Sequence, residues 1–388
     1  MNNKNNNSNN KINRVNNKDN ININNNFNNN LNNDYNKNNN KNNKTVLKKI
    51  ENFMDELNKI GVNKCIVLQK SNITYFLENY FPSFGFLIFD TKDDICSLYL
   101  SKMDYEIGRE YFEDIINIKI FEDFKKIIKN CDGIEDTFPV KNLKYVDKDY
   151  KIVSDIINSM KMIKNHNEIE LIKKSCKISD YTINHIMDEI INNYHKYTEI
   201  SLAAEIEYIM KKNGSLKTAF DTIVLSDYRS RFPHGEPKNR KIKDIVLIDM
   251  GAMYGGIYCS DISRTVILNR KKEYIKIYNI VKESKEKVED LLKEGTPVYK
   301  LDEYVREELR DYKKYFIHSL GHGVGTEVHE EPRISIKCKD EGIILKENMV
   351  ITIEPGIYLK DFGVRLEDTY LIKKNGFEKL TNGKMLEY

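Results

Sequence analysis

Four carboxylates stand inside runs of residues that otherwise belong in a protein core. Asp249 closes the run IVLID, Asp261 falls in IYCSDIS, Glu354 ends VITIE, and Glu367 sits in GVRLEDTYLI. One acid of this kind reads as an ordinary solvated side chain. Four of them in strand-like apolar segments do not, because an ionised carboxylate without a partner is costly to bury. The segments must therefore fold so that their acids meet compensating charge. His322, in HSLGHGVGTEVHEEP, lies among glycines that let the backbone approach closely. Four carboxylates and one imidazole are balanced by two divalent cations. An oxygen-rich set with one imidazole suits manganese or cobalt(II) first, with zinc or iron(II) next. Calcium does not fit a set with a histidine and so many carboxylates.

Asp249 and Asp261 are equally far from Gly255 on either side. A hairpin turning there makes them cross-strand neighbours on one face. Glu354 and Glu367 flank the short loop LKDFG in the same way. Two hairpins thus offer two carboxylate pairs to one space. The spacing of His318 and His322 invites a helical zinc-protease reading. That motif needs a Glu after the first histidine and a helix, whereas Ser319 follows here in a glycine-rich stretch.

The rest of the chain sets the frame. Its 388 residues suffice for two domains, and a net charge of +3 gives no support for a nucleic-acid or membrane-surface role. The six cysteines form no CxxC pair, so reduced thiols are expected rather than a disulfide framework. No stretch approaches the roughly 18 apolar residues of a membrane span, and no apolar leader is visible, so a cytoplasmic location is expected. Residues 1–44 are mostly Asn with scattered Lys. They have too little apolar surface to offset the entropy of ordering and are expected to form a disordered tail. Residues 45–160 read as an α/β domain: a helix ending at Gly61, an apolar run at Cys65–Leu68, then strands GFLIFD and ICSLYLS around the turn TKDD. Residues 161–167 read as a junction, and 161–388 as a second domain. The second domain starts with a helix near Glu168 and another over Glu199–Asn213, stopped by Gly214. Helices over 273–294 and Leu301–Tyr312 follow the first hairpin, and the order suggests two similar α/β halves.

IDMGA, SDISRT, LGHGVGTEVHEEP, IEPGIY and VRLED, in that order, resemble the metal-binding motifs of proline-specific metallopeptidases, the Xaa-Pro aminopeptidases and Xaa-Pro dipeptidases (prolidases) of the creatinase–methionine aminopeptidase superfamily. FDTIVLS and PHGEP belong to the same likeness, and residues 45–160 resemble that family's creatinase-type amino-terminal domain. The resemblance implies a pita-bread catalytic domain of the α/β (α+β) class with two divalent ions, manganese first and cobalt or zinc as alternatives. It implies that Asp249 binds one ion, Asp261 and Glu367 bridge, and His322 and Glu354 bind the other. Arg365 would orient a ligand carboxylate. His234 and His329 would contact substrate and the tetrahedral intermediate, with His318 near the proline side. Glu354 would move the proton. Asp249 and Asp261 are one residue farther apart than is usual in the family, so a longer turn or a bulge must keep Asp261 facing inward.

The function expected is that of a Xaa-Pro aminopeptidase, acting on peptides with proline second, with a Xaa-Pro dipeptidase as the alternative. A methionine aminopeptidase is disfavoured by the extra amino-terminal domain, and a creatinase by the metal set. A silent binding protein on the same fold is the alternative of another class, disfavoured because all five ligand positions are kept. The resemblance also implies a homodimer.

Overall fold

The computed structural model describes residues 39–80 and 83–388. Helix α1 spans Asn39–Lys59 and buries Val46, Ile50, Phe53 and Leu57, spaced three and four apart, on one face. It already contains the last six residues of the stretch expected to be a tail; residues 1–38 lie outside the described residues. Gly61 follows with φ +70°, the left-handed conformation that ends a helix at least cost. Strand β1 (Lys64–Val67) starts the apolar run, and helix α2 (Lys70–Leu77) follows it, an element the sequence reading did not separate.

Strands β2 (Gly85–Asp90) and β3 (Ile95–Leu100) pair antiparallel around the expected turn. Two short helices, α3 (Tyr105–Phe112) and α4 (Phe124–Ile128), alternate with β4 (Asn117–Ile120) and β5 (Gly133–Ile134). With β6 (Lys151–Ile152) these strands form a six-stranded sheet of order β4-β3-β2-β1-β5-β6. Helix α5 (Ser154–Met162) then leads to the long α6 (His166–Asn193). The start of α6 is set by a reciprocal cap: Asn165 accepts from the Glu168 backbone, and Glu168 returns a bond to Asn165. That cap places the helix two residues earlier than apolar spacing alone suggested.

The remaining elements build the part that carries the acids. Helix α7 (Glu199–Lys212) ends before Gly214, φ +99°. Strands β7 (Ser215–Thr218), β8 (Ile223–Ser226), β9 (Ile245–Met250), β10 (Ala252–Tyr254), β11 (Tyr258–Cys259) and β12 (Ile262–Ile267) form two three-stranded sheets, β11-β10-β7 and β12-β9-β8. Helices α8 (Lys272–Glu289) and α9 (Val298–Glu308) end four to five residues before the limits expected from the sequence, because tight turns take over the last apolar positions. Strands β13 (Gly321–Gly323), β14 (Glu330–Ile334), β15 (Val350–Ile353), β18 (Asp368–Lys373) and β19 (Gly376–Lys379) make a five-stranded sheet of order β14-β13-β15-β18-β19. The hairpin β16 (Gly356–Tyr358) and β17 (Gly363–Arg365) stands beside it. One apolar cluster, including Ile245, Tyr278, Leu301, Ile353 and Tyr370, joins α8 and α9 to these strands. All six cysteines are buried and free. Among the described residues no helix is long and apolar enough to cross a membrane.

Candidate metal centre

The two hairpins meet their acids face to face. Gly356 pairs with Arg365 and Tyr358 with Gly363, a register whose continuation sets Glu354 opposite Glu367, as expected. The Asp hairpin differs in detail. Tyr254 pairs with Tyr258, so the turn centres on Gly256 rather than Gly255, and Ser263, not Asp261, lies opposite Asp249. Asp261 is one diagonal step away on the same face, since side chains alternate with period two. The loop Gly255–Ile257 absorbs the extra residue, helped by φ +59° and +72° at its two glycines. Asp261 consequently faces inward, with Oδ2 3.6 Å from His322 Nε2.

Asp261, His322 and Glu367 each offer a donor atom within 4.8 Å of the others. Glu354 Oε1 lies 3.7 Å from His322 Nε2, and its other oxygen 3.8 Å from His318 Nδ1. Asp249 is drawn to Arg365, whose Nη2 donates to Asp249 Oδ2 at 2.5 Å. Arg365 Nε donates to Ser263 Oγ, which in turn donates to Glu367 Oε2, both at 2.9 Å. One guanidinium thereby aims an Asp from one hairpin and a Glu from the other.

The electrostatics are those of a site short of positive charge. Burial and the Glu367, Asp249 and Glu354 carboxylates push Asp261 well above the usual carboxyl range. Burial and Glu367 do the same to Glu354. Burial and Asp249 raise Glu367 to about 8. Asp249 Oδ1 and Asp261 Oδ1 are buried with no hydrogen-bond partner among the described residues. His322 Nδ1 donates to Gly323 O at 3.0 Å, which leaves Nε2 as a lone-pair donor pointing at the acids. Burial and His329 lower its pKa to about 3, so it is neutral, as a ligand must be. Orphaned carboxylate oxygens beside a neutral, correctly tautomerised imidazole are the donor set a divalent cation satisfies.

A cavity of about 970 Å³ opens over this cluster, and every residue selected from the sequence lines it. His329 packs edge-on against His322, ring centroids 4.4 Å apart; burial and His234 lower its pKa. His318 has both ring nitrogens engaged. Arg365 Nη1 donates to Tyr358 Oη, Tyr358 O–H to His318 Nε2, and His318 Nδ1–H to Ser319 O, at 2.9, 2.9 and 2.8 Å. Burial and Arg365 lower its pKa to about 3. His318 therefore presents a neutral ring wall rather than a free N–H. His234 is held in place through its neighbour, as Arg365 Nη1 also donates to Pro233 O at 3.2 Å. Tyr358 and Ser263 escaped the sequence reading although both lie inside quoted motifs. A lone hydroxyl in a strand carries no distinguishing pattern.

A family model described as metallopeptidase family M24 matches residues 170–374. The chain is 52% identical over 342 residues to an uncharacterized peptidase of Methanocaldococcus jannaschii, covering 88% of this chain and 97% of that one. It is 39% identical over 352 residues to a Xaa-Pro dipeptidase of Pyrococcus furiosus, covering 87% and 98%. Among solved structures, the prolidase of Pyrococcus horikoshii OT3 superposes with TM-score 0.80 at 35% identity, covering 87% of this chain and 99% of that one. The strands and helices around the acids are thus the pita-bread fold, and a candidate metal-binding cluster lies among them. On these matches and this geometry, the chain belongs to metallopeptidase family M24.

Proposed function

We propose that the chain is a Xaa-Pro dipeptidase, cleaving dipeptides with proline second, with two divalent ions held by Asp249, Asp261, His322, Glu354 and Glu367. Manganese is the ion proposed first, for the oxygen-rich donor set. The sequence reading placed a Xaa-Pro aminopeptidase ahead. Relatives at 39% identity are named dipeptidases, and this reverses the order.

The observation that carries the choice is Arg333. Dipeptidase action needs a cation for the substrate carboxylate, and none was visible in the sequence. Arg333 lies on β14, lines the cavity, and donates from Nε to Ser319 Oγ at 2.7 Å. That bond aims the guanidinium while its Nη groups can take a carboxylate in the two-point geometry such pairs favour.

When bound, the two ions supply an activated water and polarise the carbonyl ahead of proline. The chain's own groups do the rest. Glu354 accepts a proton and delivers it to the proline nitrogen, which has no hydrogen of its own in the amide. His329 and His234 donate to the oxygen on which charge develops and to the substrate backbone. His318 and Tyr358 form a rigid wall for the pyrrolidine ring.

The test is hydrolysis of Ala-Pro and of a longer Ala-Pro peptide by metal-stripped protein, with each divalent ion returned in turn. Manganese or cobalt should restore cleavage of the dipeptide, and His322→Ala should abolish it. Arg333→Met should raise KM for Ala-Pro by roughly 10- to 100-fold, the loss expected for bonds to a charged group. Equal cleavage of the longer peptide would return the aminopeptidase reading to first place, and full activity in chelator would refute both.

A further inference from the structure

Beside the metal cluster, the cavity wall holds an ion cluster that the reaction proposed above leaves unused. Lys161 lies in the last turn of α5, and Lys164 in the connection to α6; both are almost fully buried. They reach across to the segment that carries His329. Glu330 Oε1 accepts from Lys161 Nζ at 3.0 Å, from Thr326 Oγ1 at 3.1 Å and from the Glu327 backbone at 3.2 Å. Its other oxygen faces Lys164 Nζ at 3.2 Å. Lys161 also donates to Glu327 Oε2 and to Asn72 Oδ1, each at 3.3 Å. Gln69 Nε2 holds the second oxygen of Glu327 at 2.9 Å.

The single ammonium of Lys161 therefore bridges two carboxylates that stand on either side of His329 in the chain. There is no slack beneath them: a Cβ on Gly325 would meet Glu330 Oε2 at 2.1 Å. Burial alone would raise the Glu330 pKa, yet Lys164 and Lys161 hold it below the usual range, so the cluster stays charged. Buried ion clusters are a weak source of stability, since apolar side chains of similar volume do as well. What this one does supply is registry. It ties Asn72 and Gln69 from the amino-terminal sheet unit, and helix α5, to the residues flanking a histidine packed on His322.

We propose that Lys161 is a positioning residue for the reaction: by bridging Glu327 and Glu330 across His329, it fixes the aim of that imidazole into the cavity. The proposal rests on the reading of His329 as a donor to the reacting oxygen. A reacting group displaced by about 1 Å can cost on the order of 100-fold in rate, so a staple of this kind has a measurable consequence without touching substrate.

The experiment uses the full-length, metal-loaded chain and Ala-Pro. Lys161→Met should lower kcat by roughly 10- to 100-fold with KM within about twofold and bound metal unchanged by elemental analysis. Lys161→Arg, which keeps the charge, should recover most of the loss. In a His329→Ala background, Lys161→Met should cost less than about twofold, because residues acting through one group are non-additive. Equal losses in both backgrounds would overturn the proposal while leaving His329 in its role. A wild-type rate for His329→Ala would instead remove that role and the proposal with it. Should Lys161→Met fail to fold, Glu327→Gln, which cuts the half-exposed arm of the bridge, is read against the same two outcomes.

Discussion

At Arg365 one guanidinium meets four acceptors: Asp249 Oδ2, Ser263 Oγ, Tyr358 Oη and Pro233 O. It is the permanent positive charge nearest the acids, and it orients groups from three separate segments. Arg365→Met should weaken metal binding by roughly 10- to 100-fold, the usual loss when a group supporting a ligand is removed; titration of the stripped protein with manganese, followed by calorimetry, checks this. An unchanged affinity would mean that Asp249 needs no orientation. Arg365 was legible in the sequence through the motif VRLED. Its partners Ser263 and Tyr358 were not, and neither was Arg333, because single polar residues in strands are identified by what they face and not by spacing.

The elements of the site are held together by close backbone approach. Strand β13 carries His322 between Gly321 and Gly323. A Cβ on Gly321 would stand 2.0 Å from Thr352 O of β15, and one on Gly323 would stand 2.2 Å from Glu331 O of β14. Neither contact can be relieved by rotating a side chain. Gly321→Ala should destabilise the fold by about 3 kcal/mol, the upper part of the range for overpacking, and displace His322 from Asp261. Urea unfolding and metal titration of the same variant should both report the change, and a variant with native stability would show that β13 can shift freely. The glycine-rich run around His322 announced such an approach in the sequence. The strand it would press against was not readable, since β15 begins at Val350, 27 residues after β13 ends at Gly323.

At the scale of the whole molecule two charge balances act on stability. One is the metal-free acid cluster. Glu367 titrates near 8 in the fold against an unfolded carboxyl value near 4.5. Through this window the folded state holds more protons than the unfolded state, so stability falls as pH rises. Below about pH 6.5 the buried, neutral His318 and His322 act oppositely, because the unfolded chain takes up their protons. The melting temperature of stripped protein should therefore decline between about pH 6.5 and 8.5, and added metal should flatten that decline; the same slope with and without metal would refute the assignment. The second balance lies behind the site. Fully buried Asp368 faces Arg264, Lys285 and Lys379 at 2.7, 2.6 and 2.8 Å, joining β12, α8, β18 and β19. Asp368→Asn strips Arg264, Lys285 and Lys379 of the carboxylate they share, leaving Glu289 to the two lysines, and should cost about 3–5 kcal/mol, measured by urea unfolding at constant metal occupancy. The residue types and their order along the chain determined the α/β class, the five candidate ligands and the facing of Glu354 and Glu367 across their hairpin, because charge cannot be left alone among apolar neighbours and because strand side chains alternate. Only the tertiary structure decided that the Asp hairpin turns on Gly256, that α5 delivers Lys161 to the His329 segment, and that Arg333 faces the cavity. Those contacts join residues far apart in the chain, and no local pattern encodes which distant surface a helix end or a strand face will meet.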